Sequence, residues 1–196
     1  MKRLFLLFAA LLATSSLALA ADTYTIDGAH SSANFAVKHM GISTVHGRFT
    51  EVGGTILFDA HAPGKSSVTA VIKSTSVNTD NATRDKHLNT ADFFDTAKYP
   101  EIKFQSTSVR HVGGDKYIAT GNLTIRDVTK TVELPFTLAQ GKGPKGEPRL
   151  GAEATLSINR YDYHVNYDPT GMGVSKDIKI DLSVEASKDT DKKALQ

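Results

Sequence analysis

The sequence predicts an all-β fold, an antiparallel eight-stranded barrel with a short helical plug. Apolar and polar residues alternate with a period of two along eight segments, whereas helical periodicity is scarce. The faces opposite the apolar ones carry Lys, Asp, Glu, Thr and Asn, so each strand has one dry and one wet face. Many dry-face positions are small, which favours a hollow barrel over a filled two-sheet sandwich.

The alternating segments follow one another along the whole chain: ANFAVKH, GTILFD, SVTAVIKS, EIKFQSTSV, KYIATGNLTIRD, TVELPFTL, LGAEATLSIN and DIKIDLSVEA. Turn signals lie between them at Pro63-Gly64, at Gly113-Gly114 and in the stretch GKGPKGEP. We count eight or nine strands, without a domain linker or an internal repeat.

The dry faces define the predicted barrel interior. Its small members are Ala33, Gly54, Ala70, Ala119, Gly121, Ala152 and Ala154. The residues predicted to contact a ligand there are Phe35, Val37, His39, Phe49, Ile56, Phe58, Ala70, Ile72, Phe104, Tyr117, Ala119, Leu123, Ile125, Leu134, Phe136, Leu156, Ile158, Ile180 and Leu182.

The segment from Asn78 to Pro100 interrupts the strands because it is too polar and too long for a hairpin. NATRDKHL predicts a short helix with Asn81 as its N-cap. We expect Phe93 and Phe94 to cover the barrel end as a plug or lid. Arg84, Asp85 and His87 lie at this mouth, where they either contact a ligand headgroup or pair with one another and with strand ends to hold the plug.

The two chain ends are predicted to lie outside the barrel. Residues 1–20 resemble a cleavable signal peptide, with a positive start, an apolar run from Leu4 to Ala13 and Ala18-Leu19-Ala20 before the cleavage point. The barrel domain is assigned to residues 21–186, and residues 187–196 form a charged tail that is expected to fray. The apolar run is too short to span a bilayer, so we expect no integral membrane segment after processing.

Composition excludes several classes of function. Without Lys2 and Arg3 the formal charge falls from +2 to zero, so the net charge leaves no electrostatic footprint for nucleic acid or an anionic membrane. There is no cysteine, so cysteine-based metal sites and thiol catalysis are excluded. A homodimer remains possible.

Histidines and acids give no strong catalytic or metal motif. His30, His39 and His46 lie within seventeen positions but lack the HxH or HxxxH spacing of common metal sites. No Gly-x-Ser-x-Gly elbow or phosphate-binding loop is present. We therefore expect no cofactor, no metal and no enzyme activity. The alternative is an enzyme acting on a lipid-like substrate through His39 or the Arg84-Asp85-His87 cluster.

Four long motifs carry a resemblance to a known family: YTIDGAHSSANFAVKHMGISTVHGRF, GGTILFD, NTDNATRDKHLNTADFFDTAKYPEIKF and GNLTIRDVTKTVELPF. The sequence resembles the YceI family of exported polyisoprenoid-binding proteins with a lipocalin-like barrel, over essentially all of residues 21–186. It departs from the family at Tyr163-His164, where phenylalanine or tryptophan followed by glycine is expected. The resemblance implies a periplasmic protein that binds or carries a long isoprenoid, a quinone or a similar lipid, without established catalysis.

Overall fold

The structure is a computed structural model that describes residues 21–189. Its strands are β1 (Asp22–Ile26), β2 (Ser32–His39), β3 (Ser43–Phe49), β4 (Val52–Phe58), β5 (Ser67–Lys73), β6 (Val77–Asn78), β7 (Glu101–Gly113), β8 (Lys116–Ile125), β9 (Val128–Lys142), β10 (Pro148–Asn159) and β11 (Val174–Lys188). The helix α1 spans Ala82–Leu88, and short 3-10 turns span Pro63–Lys65, Ser74–Ser76 and Arg160–Tyr163. Within residues 21–189, no helix has the length and apolar character needed to cross a membrane.

Eleven strand segments in the described residues make eight barrel strands, because three of those strands are bent. The first bent strand consists of β1 and β2, which both pair with β11. The second consists of β3, which pairs with β2, and β4, which pairs with β1. The third consists of β5, which pairs with β4, and β6, which pairs with β3. The remaining strands pair antiparallel in chain order, and β11 returns to β1. The predicted closed, antiparallel eight-stranded barrel with a short helix is confirmed.

Ser76 holds two of the bends together through its hydroxyl group and its carbonyl oxygen. The Ser76 hydroxyl accepts a hydrogen bond from the Glu51 amide at 3.1 Å and donates one to the Lys73 carbonyl at 2.7 Å. The Thr50 amide donates to the Ser76 carbonyl at 3.1 Å. These contacts satisfy backbone groups that the bends remove from the strand ladder.

The apolar residues form two clusters at opposite ends of the barrel. The base cluster consists of Tyr24, Ile26, Ile56, Phe58, Leu150 and Ala186. The lid cluster consists of Ala33, Phe49, Val77, Phe93, Ile102, Leu123, Ile125, Tyr163 and Val165. Between them many inward side chains are only half-buried, because they face internal space and not a packed neighbour.

Two of the small inward residues do not leave the space that the sequence predicted. A Cβ at Gly54, where φ is +145°, would lie 2.1 Å from the Thr69 carbonyl oxygen, and one at Gly121 would lie 2.6 Å from the Gln105 carbonyl oxygen. These glycines allow close approach of neighbouring strands. Ala33 and Ala119 are already closely packed, whereas Ala70, Ala152 and Ala154 are half-buried on the interior face.

The barrel wall has an unpaired seam between β9 and β10. β9 and β10 pair from Pro148↔Lys142 to Ala154↔Phe136, and the pairing stops where Pro135 would come next. Proline has no N–H to donate and is normally confined to sheet edges. β9 continues to pair with β8 beyond this point, so the strand lacks ladder hydrogen bonds only on the side that faces β10.

The predicted tail begins too early. β11 continues to Lys188, which pairs with Tyr24, and the Asp189 amide donates to the Thr23 carbonyl at 2.8 Å. Residues 187–189 therefore help to close the barrel, since the first strand needs a partner on its open edge. Residues 1–20, the predicted signal peptide, and residues 190–196 lie outside the described part of the chain.

We expect the base and the middle of the barrel to respond differently to the same truncation. Leu150 is 1% exposed in the base cluster, whereas Leu134 is half-buried and faces the internal space. Leu150→Ala should lower the free energy of unfolding by about 2–5 kcal/mol. Leu134→Ala should lower it by about 1 kcal/mol, because little packing is removed. Urea unfolding of both variants tests this, and equal losses of stability would contradict a hollow middle.

Candidate functional site

The barrel encloses an apolar cavity of about 270 Å³. All residues predicted to contact a ligand in the interior line this cavity except His39, whereas Gly54 and Gly121 of the predicted interior face do not. The strands contribute alternate residues, as the sequence predicted, and the phenylalanine pair Phe93 and Phe94 reaches the cavity from the lid. Leu88, Tyr163 and Val165 also line it. They were missed because they lie outside the strands, where alternation carries no information.

His39 does not point into the barrel, so that prediction was wrong. It continues the alternation of β2 but is exposed at the strand end, where it pairs with Ser43 across the turn to β3. The neighbouring ladder to β11 is irregular between Val174 and Ile178. At the rim the inward side of a strand faces solvent, and the period of two no longer reports burial. An enzyme mechanism that depends on His39 inside the cavity loses its basis.

The lid consists of α1 and the residues that follow it up to β7. Asn81 is the predicted N-cap, and its side-chain oxygen accepts a hydrogen bond from the Arg84 amide at 3.0 Å. Phe94 packs edge-on against Phe49 with ring centroids 5.5 Å apart. The lid thus closes the barrel with aromatic side chains that are part of the cavity wall.

Arg84 and Asp85 hold the lid to the barrel and lie outside the cavity lining. The Asp85 carboxylate accepts hydrogen bonds from the Thr79 amide at 2.9 Å and from its hydroxyl at 2.5 Å. The Arg84 guanidinium donates to the Thr79 hydroxyl and carbonyl oxygens, each at 2.8 Å. Both side chains therefore fix the start of α1 to the chain that leaves β6.

His87 links the lid to the loop before β11. Its Nε2 lies 2.9 Å from an Asp92 carboxylate oxygen, and its ring packs edge-on against Phe93 and Tyr167, each at 5.0 Å. Phe93 and Tyr167 are in turn 4.8 Å apart. The Arg84-Asp85-His87 cluster is thus divided between two structural contacts, and its members do not meet at the cavity.

Arg126, at the turn between β8 and β9, fastens the far end of the lid. Its Nη1 donates to the carbonyl oxygens of Phe93 at 2.8 Å and His164 at 2.6 Å. Its Nε is buried without a hydrogen-bond partner, and the residue itself has a left-handed φ of +54°. An unpaired buried donor costs about 1–3 kcal/mol.

A buried arginine organises the loop beside the lid. Arg160 is 4% exposed, and its guanidinium donates to the carbonyl oxygens of Val165, Ser175 and Val174 at 2.7, 3.0 and 2.9 Å. Burial lowers the pKa of Arg160. Its charge is balanced largely by backbone dipoles, and this fixes the position of the loop against the cavity.

Asp168 fastens the same loop from within. Hydrogen bonds from the Thr170 hydroxyl at 2.6 Å and from the amides of Val174 and Gly173 at 2.9 and 2.7 Å lower the pKa of Asp168 to about 2. Because this folded-state pKa lies below the ordinary value, the contribution is present above about pH 4. It is lost as the pH falls through about 2.

His164 explains one departure from the resembled family. It follows the 3-10 turn with a left-handed φ of +58°, a conformation in which glycine is favoured. Its Nδ1 lies 3.2 Å from both carboxylate oxygens of Asp127. The histidine thus accepts an unfavourable backbone conformation and gains a side-chain partner.

The carboxylates in one group of potential metal ligands are already paired with an arginine. Asp27, His30 and Glu185 place their ligand atoms within 4.8 Å of one another. The Arg149 guanidinium also pairs with Glu185 and lies 3.5 Å from an Asp27 oxygen. Asp27 Oδ2 is 2.9 Å from His30 Nδ1, and this hydrogen bond raises the pKa of His30. The group is accounted for as an ion-pair network at the bend between β1 and β2.

Fold and cavity together define a closed β-barrel with an aromatic lid over an apolar interior. The chain belongs to the YceI family, since the model of the YceI-like domain matches residues 24–186. It is 43% identical to Protein YceI of Escherichia coli over 184 residues, which are 92% of this chain and 94% of the relative. Protein YceI of Salmonella agona is 41% identical over 182 residues, 91% and 93% of the two chains.

Solved structures share the fold. The YCEI protein of Campylobacter jejuni is 34% identical, with a TM-score of 0.70 over 78% of this chain and 90% of that one. BcnA of Burkholderia cenocepacia, at 24% identity, has a TM-score of 0.76 over 82% and 98%. A polyisoprenoid binding domain of Saccharophagus degradans, at 16% identity, has a TM-score of 0.66 over 85% and 98%. The last two likenesses concern the fold alone.

We expect loss of the Arg126 contacts to loosen the lid. Arg126→Ala removes the donor to the Phe93 carbonyl, so amide hydrogen exchange at Phe93, Phe94 and Asp95 should accelerate by about tenfold, as the loss of one charged hydrogen bond implies. Arg110→Ala is the control. Arg110 is exposed, and its ion pair with Glu133 is long at 3.9 Å. Unchanged exchange in Arg126→Ala would show that the lid is held elsewhere.

Proposed function

We propose that this protein binds a long isoprenoid chain, such as a polyprenyl or quinone tail, inside the barrel cavity. The observation that carries the proposal is the enclosed cavity with an almost wholly apolar wall between the base and lid clusters. Its volume of about 270 Å³ lies just below the range of about 300–1,000 Å³ for ligand sites, which suits a slender chain better than a ring system. The Saccharophagus degradans domain with this fold is described as polyisoprenoid binding.

Burial of the chain supplies the affinity in this proposal. Each buried CH2-sized group contributes about 0.8 kcal/mol, so an isoprene unit of five carbons contributes a few kcal/mol before ordering costs. Polar groups at the lid, above all Arg160 and Arg126, already donate to backbone carbonyls. The proposal therefore includes neither a headgroup-specific contact nor a catalytic step.

Insertion of a large side chain into the cavity should exclude the ligand. Ala154 is half-buried, lines the cavity and is flanked by Phe136 and Leu182, so it offers more space than the closely packed Ala119. Ala154→Trp should remain folded and lose co-purified lipid, as measured by native mass spectrometry without detergent.

Glu153→Trp is the matched control, because Glu153 is exposed on the outward face one residue earlier. It should retain the lipid. If both variants keep the lipid, the ligand does not occupy this part of the cavity. If neither variant nor the unaltered protein ever carries lipid, the proposed function is wrong.

We further propose that binding takes place in the periplasm after export. The support is the pattern of Lys2-Arg3, the apolar run Leu4 to Ala13 and Ala18-Leu19-Ala20. N-terminal sequencing of protein from the periplasmic fraction should begin at Ala21, and periplasmic protein that begins at Met1 would contradict the proposal.

A further inference from the structure

Three large apolar side chains are exposed on two adjacent loops at the lid end. Met40 is 62% exposed, Ile42 is 85% exposed and Met172 is 79% exposed. The Met40 amide donates to the Gly173 carbonyl at 2.9 Å, so the two loops are joined. We call Met40, Ile42 and Met172 the tip patch. Clustered exposed apolar side chains mark interaction sites, whereas isolated ones are ordinary.

The backbone at Met40 shows that folding alone does not favour a methionine there. Met40 and Gly41 have φ values of +53° and +71° in a tight turn, closed by the Ile42 amide donating to the His39 carbonyl at 3.1 Å. Such hairpin turns prefer Asn, Asp or Gly at the first position, because other side chains are strained at positive φ. A strained and exposed apolar residue points to a function outside the folded chain.

The tip patch has a positive rim. Lys38 and Lys176 flank it on β2 and β11, are exposed, and form no ion pair with a carboxylate among residues 21–189. Of the acids nearby, Asp168 is turned into its own loop by three hydrogen bonds, and Asp177 is exposed. Apolar tips with a basic rim complement a bilayer whose surface carries anionic headgroups.

The tip patch is connected directly to the lid and the cavity. Tyr167, on the same loop as Met172, packs against His87 and Phe93 of the lid and is 43% exposed. Val174 pairs with His39 beside the patch and lines the cavity. Insertion of the tips into a bilayer would therefore place the lid at the bilayer surface, next to a store of apolar ligand.

We propose that the tip patch inserts into the surface of an anionic lipid bilayer, and that the apolar ligand passes between bilayer and cavity at the lid end. The passage of ligand rests on the proposed function, whereas the insertion does not. A ligand of this class has very low solubility in water, so direct transfer avoids exposure of its chain.

Flotation with vesicles of phosphatidylethanolamine and phosphatidylglycerol tests the insertion. The full chain should float, and the variant Met40→Asn, Ile42→Ser, Met172→Ser should bind vesicles at least tenfold less, since three apolar side chains no longer leave water. Asparagine suits the left-handed turn, so the variant should melt at no lower temperature than the unaltered protein. Val112→Ser is the control, because Val112 is exposed at the opposite end of the barrel.

The role of the positive rim is tested by changing the lysines of the protein and, separately, the headgroup charge of the vesicles. Lys38→Glu with Lys176→Glu should weaken binding to the anionic vesicles several-fold, and phosphatidylcholine vesicles should bind the unaltered protein less well. Equal flotation of the tip variant and the unaltered protein, or no flotation of either, would overturn the proposal. So would a tip variant that changes from dimer to monomer without vesicles, because the patch would then join two copies of the chain.

Native mass spectrometry separates this proposal from the proposed function. A tip variant that still carries lipid but no longer floats supports insertion and leaves the cavity assignment intact. If the unaltered protein floats but never carries lipid, the insertion stands and both ligand binding and ligand passage fail. Transfer of a fluorescent polyprenyl probe from the vesicles should slow at least tenfold in the tip variant, and unchanged transfer would overturn the proposed route.

Discussion

The return of the last strand to the first is the constraint on which the barrel depends. β11 pairs with β10 along one edge, and along the other it pairs first with β2 and then with β1. Because every strand has one apolar face, the sheet must close to remove those faces from water. Leu150 and Ala186, at 1% and 0% exposure, lie opposite each other next to this junction. Closure therefore also creates the packed base on which the hollow middle rests.

Both ends of the barrel contain an apolar cluster, and the lid end has a further means of stabilisation. There arginines also donate to carbonyl oxygens that no strand satisfies. Arg160 fixes the loop before β11 and Arg126 fixes the lid. Water can take the place of either partner in such a hydrogen bond, whereas it offers no substitute for apolar packing. The hydrogen bonds at the lid end are thus more readily exchanged with water than the packing at the base.

The sequence predicted the barrel and most of its interior because the period of two directly encodes which face of a strand is dry. The prediction of the interior failed at the strand end and at two glycines within strands. His39 keeps the alternation but lies at the rim, and Gly54 and Gly121 are small because neighbouring backbones approach them closely. Tyr163 and Arg160 come from a turn whose position depends on contacts distant in sequence. No local pattern distinguishes a buried arginine that serves carbonyl oxygens from an ordinary surface cation.

The seam between β9 and β10 affects the circumference of the barrel. A fully hydrogen-bonded cylinder has a circumference fixed by strand number and stagger, so its bore resists expansion. Beyond Pro135 these two strands share no ladder, and Val132, Leu134, Leu156 and Ile158 on either side face the cavity. The wall can widen there without breaking strand hydrogen bonds between them. For the isoprenoid ligand proposed above, this seam makes the fit depend on chain length and flexibility more than on cross-section.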